Sequence, residues 1–243
     1  MNVSMILAAG IGQRMRNAGL PKQFLKIAGK PVIIYTLEKF ESIAEVDVNI
    51  IVCREGYNDY MEQLLQEYKI TKKTLVIIGG DNRQQSIKKG LHKLKEMHAQ
   101  PNDVVIIHDG VRPLVSPSII RENIRIAELY GSAMTVRQVN ESVVVTASNK
   151  AKIADFAPRK NTYSLTSPQS FQIGLLWKAY ELLQTQGNDD LPLLDAAMMY
   201  ARMGNEVNLV KEQKGNIKIT TPEDVYYLKA MLELEESRSI FGI

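Results

Sequence analysis

Short apolar, β-branched runs recur through the first half of the chain. Between them lie longer segments whose apolar residues fall three and four apart. The runs Val3–Leu7, Val48–Val52, Leu75–Ile78, Val104–Ile107 and Ala133–Val136 predict strands. Pro31–Phe40, Tyr57–Tyr68, Arg83–Lys95 and Pro117–Tyr130 predict helices, with Ile87, Leu91 and Leu94 forming one buried stripe. Strand and helix in alternation argue for an α/β fold with a mostly parallel central sheet and helices on both faces. Ser116-Pro117 and Thr221-Pro222 each place an N-cap residue before a proline at the first helical position.

The rhythm breaks after about residue 138. Two β-rich runs, Ser142–Thr146 and Lys152–Phe156, flank a polar turn at Ala147–Ala151 and predict a hairpin-like arm. The arm is expected to occupy about residues 139–171. Helical patterns return at Ile173–Gln184 and Leu191–Met203, followed by a strand at Glu206–Val210 and a last helix from Thr221. No internal repeat or low-complexity stretch interrupts the pattern. The expectation is one domain over residues 1–243, with an arm.

Composition narrows the class without naming a function. Hydrophobic residues make up 45% and charged residues 23%, as in ordinary globular chains. A formal charge of +3 is too small to imply nucleic-acid binding, so the placement of the cations matters more than their sum. The single cysteine, Cys53, lies in the apolar run NIIVC and is expected to be a buried strand thiol. No apolar run reaches the roughly 18 residues of a membrane span, and a cytoplasmic protein is expected.

Four loops carry candidate chemistry. After the first strand, Ala8, Ala9, Gly10 and Gly12 bear almost no side-chain bulk, so their N–H groups can close on a phosphate chain. Arg14 and Lys22 add positive charge over the same place. Met15 stands where a dinucleotide fingerprint has its third glycine, and no Walker loop is present. A G-x-G by itself is also met in plain tight turns. After the third strand, Gly79-Gly80-Asp81-Asn82-Arg83-Gln84-Gln85-Ser86 suits recognition of the polar edge of a base, or simply a turn and a helix cap. His108-Asp109-Gly110-Val111-Arg112-Pro113 closes the fourth strand, where open α/β sheets present their chemistry. Asp109 is a candidate Mg²⁺ partner there, a zinc site is not expected, and His108 is expected to be structural. Lys218, in Gly215–Asp224, is either solvated surface or a cation held in place by Ile217, Ile219 and the helix cap that follows.

Taken in order, LAAGIGQRM…LPKQFL, GGDNRQQS, HDGVRP, SPQSF and NIKITTPED resemble the cytidylyltransferase family. This is the family of 2-C-methyl-D-erythritol 4-phosphate cytidylyltransferase and ribitol-5-phosphate cytidylyltransferase. The resemblance spans nearly the whole chain. It implies a Rossmann-like nucleotidyltransferase body and an arm that exchanges contacts across a homodimer. It further implies that Ala8, Ala9, Gly10, Gly12, Arg14 and Lys22 cradle the CTP triphosphate, and that Gly80, Asp81 and Ser86 recognise the nucleotide. Arg14, Lys22 and Lys218 would be the catalytic cations, and Asp109 would hold Mg²⁺. On the acceptor side it implies Asp109, Arg112 and Glu141, with Arg159 and Ser167 of the arm reaching the acceptor's phosphate in the neighbouring subunit.

Departures from the family pattern fall on the acceptor side: Thr166-Ser167-Pro168-Gln169, Glu141-Ser142 and Leu194-Asp195-Ala196. Val111-Arg112-Pro113 and IIRENIRIAELYG are closer to the ribitol-phosphate branch. The expected acceptor is therefore a small phosphorylated polyol of the teichoic-acid or capsule type. The alternative is methylerythritol phosphate, for isoprenoid precursors. A further alternative is a nucleotidyltransferase for another base, or a silent nucleotide-binding relative.

Overall fold

Seven strands form one sheet, and the ends of its parallel strands assemble the site. The computed structural model describes residues 1–10, 12, 20–146, 152–185, 195–212 and 215–241. In chain order the elements are β1 (Asn2–Ala8), a 3-10 turn (Lys22–Phe24), β2 (Lys26–Ile27), β3 (Lys30–Pro31), α1 (Val32–Glu41), β4 (Val48–Cys53), α2 (Asn58–Glu67) and β5 (Thr74–Ile78). They continue with α3 (Arg83–Glu96), β6 (Val104–Asp109), α4 (Pro117–Tyr130), β7 (Ser132–Gln138), β8 (Val144–Thr146) and β9 (Ile153–Phe156). The last are β10 (Tyr163–Gln172), α5 (Ile173–Thr185), α6 (Ala196–Arg202), β11 (Leu209–Lys211) and α7 (Pro222–Phe241). The sheet order is β11-β7-β10-β6-β1-β4-β5. β1 pairs in parallel with β4 and β6, β4 with β5, and β7 with β11, while β10 runs antiparallel between β6 and β7.

Central strands are covered on both faces, which is why they are apolar almost throughout. On one face Val3, Met5, Ile50 and Val52 pack with Ile87, Leu91 and Leu94 of α3 and with Leu176 and Tyr200 of α5 and α6. On the other, Ile6 and Ile51 meet Leu37 and Phe40 of α1, Met61 of α2, and Ile120 and Ile124 of α4. Cys53 is buried among them, and burial pushes its thiol up to about 11. Ser116 caps α4 by accepting the Ile119 N–H with Pro117 behind it, and Gly131 ends the helix at φ +84°. Among the described residues no helix is long and apolar enough to cross a membrane.

The arm is shorter than the sequence pattern suggests. Only β8 and β9 stand apart, as a two-stranded ribbon, and the turn at 147–151 lies outside the described residues. Residues 163–171, expected in the arm, belong to β10 in the middle of the main sheet. Ser167 goes with them: it belongs to the body and is fully buried.

Candidate active site

The C-terminal ends of β1, β5 and β6 open on one cleft of about 440 Å³. It brings together Ala8, Ala9, Gly10, Gly12, Lys22, Gly80, Asp81, Ser86, Asp109 and Lys218, residues drawn from all four candidate loops. Arg14 lies outside the described residues. Glycine at 79 lets the first two loops meet, and glycine at 80 lets the second loop close on the start of α3. A Cβ on Gly79 would stand 2.4 Å from Cβ of Ala9, and one on Gly80 would stand 2.4 Å from Cβ of Gln85. Gly12, at φ +69°, takes a backbone shape that side chains disfavour. Gln23 steadies the first loop by donating from Nε2 to the carbonyls of Ala8 (2.6 Å) and Gly10 (3.3 Å). Ser86 Oγ accepts the Gly80 N–H at 3.1 Å, and Gln85 Oε1 accepts the Asp81 N–H at 2.9 Å, closing the second loop on the start of α3.

Lys218 is not on a strand; packing holds it. Its neighbour Ile219 is buried with Ile27, Val32, Val111 and Leu228, and the Ile219 N–H donates to Val111 O at 2.9 Å. Thr220 and Thr221 then donate their N–H groups to the Asp224 carboxylate at 2.7 and 2.8 Å, so an aspartate in the first turn of α7 closes this end. Lys22 Nζ donates to Ile219 O at 2.9 Å, which ties the first loop to this segment.

Asp109 is the hub. Its Oδ1 lies 2.6 Å from Nη1 of Arg83, and its Oδ2 lies 3.0 Å from Nε of Arg112 and 3.1 Å from Nζ of Lys218. Burial alone would raise its pKa; Arg83, Lys218 and Arg112 outweigh burial and hold the carboxyl well below the usual range. Arg112 is fixed in turn through Nη1 on Asn216 O at 2.8 Å. Neither Arg83 nor Asn216 was singled out from the sequence.

This arrangement does not fit Asp109 as a metal ligand. Mg²⁺ seeks carboxylate oxygens with spare negative charge. Both oxygens here are taken by three cations, and no group of three acidic, histidine or cysteine residues suited to a metal occurs among the described residues. Ser167 also departs from its implied role. His108 Nε2–H donates to the Arg112 carbonyl at 3.2 Å, so Nδ1 accepts the Ser167 hydroxyl at 3.0 Å. The same Oγ accepts the Asp109 N–H at 3.3 Å. Its one proton being committed, Ser167 orients Asp109 rather than a ligand. Burial drives His108 down to about 4, so the ring is neutral, as a structural histidine should be.

Three other acceptor-side residues do not line this cleft: Arg112 lies behind Asp109, bonded to it and to Asn216 O, and Glu141 and Arg159 lie elsewhere. Glu141 lines a separate depression of about 380 Å³ with Arg137, Ser164 and Tyr227, and Arg159 is exposed in the turn after the arm.

Residues 2–234 match the family model of IspD, 2-C-methyl-D-erythritol 4-phosphate cytidylyltransferase. The chain belongs to the IspD cytidylyltransferase family. It is thus a nucleotidyltransferase. Similar proteins include a ribitol-5-phosphate cytidylyltransferase of Vibrio parahaemolyticus (39% identical) and one of Streptococcus agalactiae serotype III (35%), each alignment covering 100% of both chains. A 4-diphosphocytidyl-2C-methyl-D-erythritol synthase from Anaerococcus prevotii superposes with a TM-score of 0.81 at 25% identity, covering 96% of each chain. The 2-C-methyl-D-erythritol 4-phosphate cytidylyltransferase of Francisella tularensis gives 0.77 at 26%, covering 94% of this chain and 98% of its own. In a cytidylyltransferase, a cleft that joins a small-residue loop to lysines and a cation-bound aspartate suits a nucleoside triphosphate and a second anionic substrate.

Proposed function

We propose that the enzyme transfers CMP from CTP to ribitol 5-phosphate or a related alditol phosphate, giving a CDP-alditol and pyrophosphate. The observation that carries the acceptor half is end-to-end similarity, at 35 and 39% identity, to two proteins named for ribitol 5-phosphate. In this reading the cradle at Ala8–Gly12 takes the triphosphate, with Arg14 and Lys22 over it. The loop around Gly80, Asp81 and Ser86 takes the cytosine end, and Lys218 faces the acceptor phosphate beside Asp109, with Arg112 behind it.

An acceptor phosphate oxygen attacks the α-phosphorus of CTP in line. The new P–O bond forms as the bond to the bridging oxygen of pyrophosphate breaks. A phosphate monoester has a second pKa near ~6, so its dianion needs no general base at neutral pH. The protein's task is positioning and charge neutralisation, for which Lys22 and Lys218 both line the cleft, on segments tied together through Ile219 O. Mg²⁺ would supply charge neutralisation at the triphosphate, and Asp109, which already carries three cations, is not among the residues that would hold it.

A homodimer fits the arm. Val144, Val145, Ile153 and Phe156 of the ribbon are 41%, 52%, 56% and 64% exposed, an apolar surface suited to cover by a second copy. Arg159, next to it, would then reach the partner's acceptor site. The pool of soluble CTP fits a cytoplasmic enzyme, and its product suits teichoic-acid or capsule synthesis. Thermal-shift screening with CTP, UTP, ATP and GTP, followed by pyrophosphate release with ribitol 5-phosphate and methylerythritol 4-phosphate, tests the proposal. Stabilisation by CTP and turnover with ribitol 5-phosphate are expected. Selective stabilisation by another nucleotide contradicts the base assignment, and turnover with methylerythritol 4-phosphate alone contradicts the acceptor.

A further inference from the structure

Asp195 is the N-cap residue of α6, where an aspartate ordinarily accepts a hydrogen bond from the helix's first N–H groups. Its carboxylate makes no such bond. Oδ1 instead accepts the Gln169 Nε2–H at 2.7 Å and faces Nε of Arg83 at 3.6 Å. Gln169 Oε1 in turn accepts the Ala197 N–H at 3.4 Å, in the cap's place. A residue suited to closing its own helix is turned toward an arginine of the catalytic cleft, and the central strand supplies the substitute cap.

Arg83 explains the trade. It is the first residue of α3, where the helix dipole is positive and a cation is disfavoured unless an anion stands close. Asp109 and Asp195 are those anions. Burial acts to lower the Arg83 pKa, and the two carboxylates more than reverse it. At 3.6 Å the contact with Asp195 is ionic rather than a hydrogen bond, and Arg83 Nε is buried with no hydrogen-bond partner. Charge, not geometry, holds that side of the guanidinium.

We propose that Asp195 is a positioning residue: with Gln169 it clamps Arg83 against Asp109, so that the loop at 79–86 and the Asp109 hub keep one fixed spacing. In-line transfer between two bound substrates depends on that spacing. The inference rests on the cytidylyl-transfer reading but not on which acceptor is used.

The test is Asp195→Asn, which keeps the shape and removes the charge, assayed by pyrophosphate release with CTP and the acceptor the wild type turns over. We expect kcat to fall about tenfold, with the CTP Kd within about twofold and the thermal midpoint within a few degrees. In an Arg83→Gln background the same substitution should add less than about twofold, because the charge it acts on is gone. A wild-type kcat in Asp195→Asn, or a full additional loss in the Arg83→Gln background, would overturn the proposal. A readout without turnover is the Arg83 Nε–Hε NMR signal, expected to be resolved in the wild type and averaged in Asp195→Asn. An unchanged signal overturns the clamp, whereas a wild type that releases no pyrophosphate counts against the cytidylyl-transfer reading alone.

Discussion

Arg83 and Asp109 show how little of the site's charge logic is visible one residue at a time. Asp109, at a strand's end before a glycine, was a candidate from the sequence alone. What it binds was not, because its three cations come from residues 83, 112 and 218. The one available signal for Arg83 is an arginine directly after an Asn cap, which calls for an anion nearby. Removing a preorganised cation should cost transfer dearly: Lys22→Ala, and Arg14→Ala at the other predicted cation, should each lower kcat at least ~100-fold in a steady-state pyrophosphate assay. Near-normal turnover would contradict their roles.

His108 makes a prediction about pH at the same scale. Its folded pKa of about 4 lies below the unfolded value of 6.5, so between those values the unfolded chain binds more protons. Stability is therefore full above about pH 6.5 and falls as pH drops toward 4, by about 3 kcal/mol in all. Asp109 acts in a lower window: its depressed pKa stabilises above the usual carboxylate range, and that contribution is lost only as pH falls below it. Urea unfolding between pH 7 and pH 4 should show the slope, and His108→Asn should flatten it. A wild type equally stable across that range would contradict the buried neutral ring.

Among elements, legibility followed burial chemistry. α4 spans Pro117–Tyr130, as the sequence pattern has it, because Ser116-Pro117 and Gly131 mark both ends. β10 was assigned to the arm because it lacks apolar alternation. Its buried Thr166, Gln169 and Ser170 are satisfied by Thr135 O, Asp195 and Asn123 instead of by hydrophobic neighbours. A polar strand of that kind sends no periodic signal. The helix expected at Leu191–Met203 is described only from Ala196, since 186–194 lie outside the described residues. The β5–α3 loop offers a direct test of close packing. Gly79→Ala would press a methyl against Ala9 and should destabilise the fold by about 1–3 kcal/mol, while weakening CTP binding. Calorimetry with CTP and thermal unfolding measure both, and a neutral variant would show that the two loops need not touch.

For the whole molecule, the βα rhythm was enough to give the sheet and its two helical layers, while assembly depends on a surface. Phe156 is 64% exposed on the ribbon. Phe156→Asp should turn the proposed dimer into a monomer in sedimentation velocity, and Arg159→Ala should raise the acceptor KM far more than the CTP KM. A wild-type monomer, or equal effects on both KM values, would mean that the arm does not complete the site. The most direct measurement of the central claim is phosphorus NMR of a reaction containing the protein, CTP, Mg²⁺ and ribitol 5-phosphate. The account predicts free pyrophosphate together with a pair of coupled resonances from a new diphosphodiester. An unchanged ribitol 5-phosphate signal, in a preparation that converts methylerythritol 4-phosphate, would contradict it.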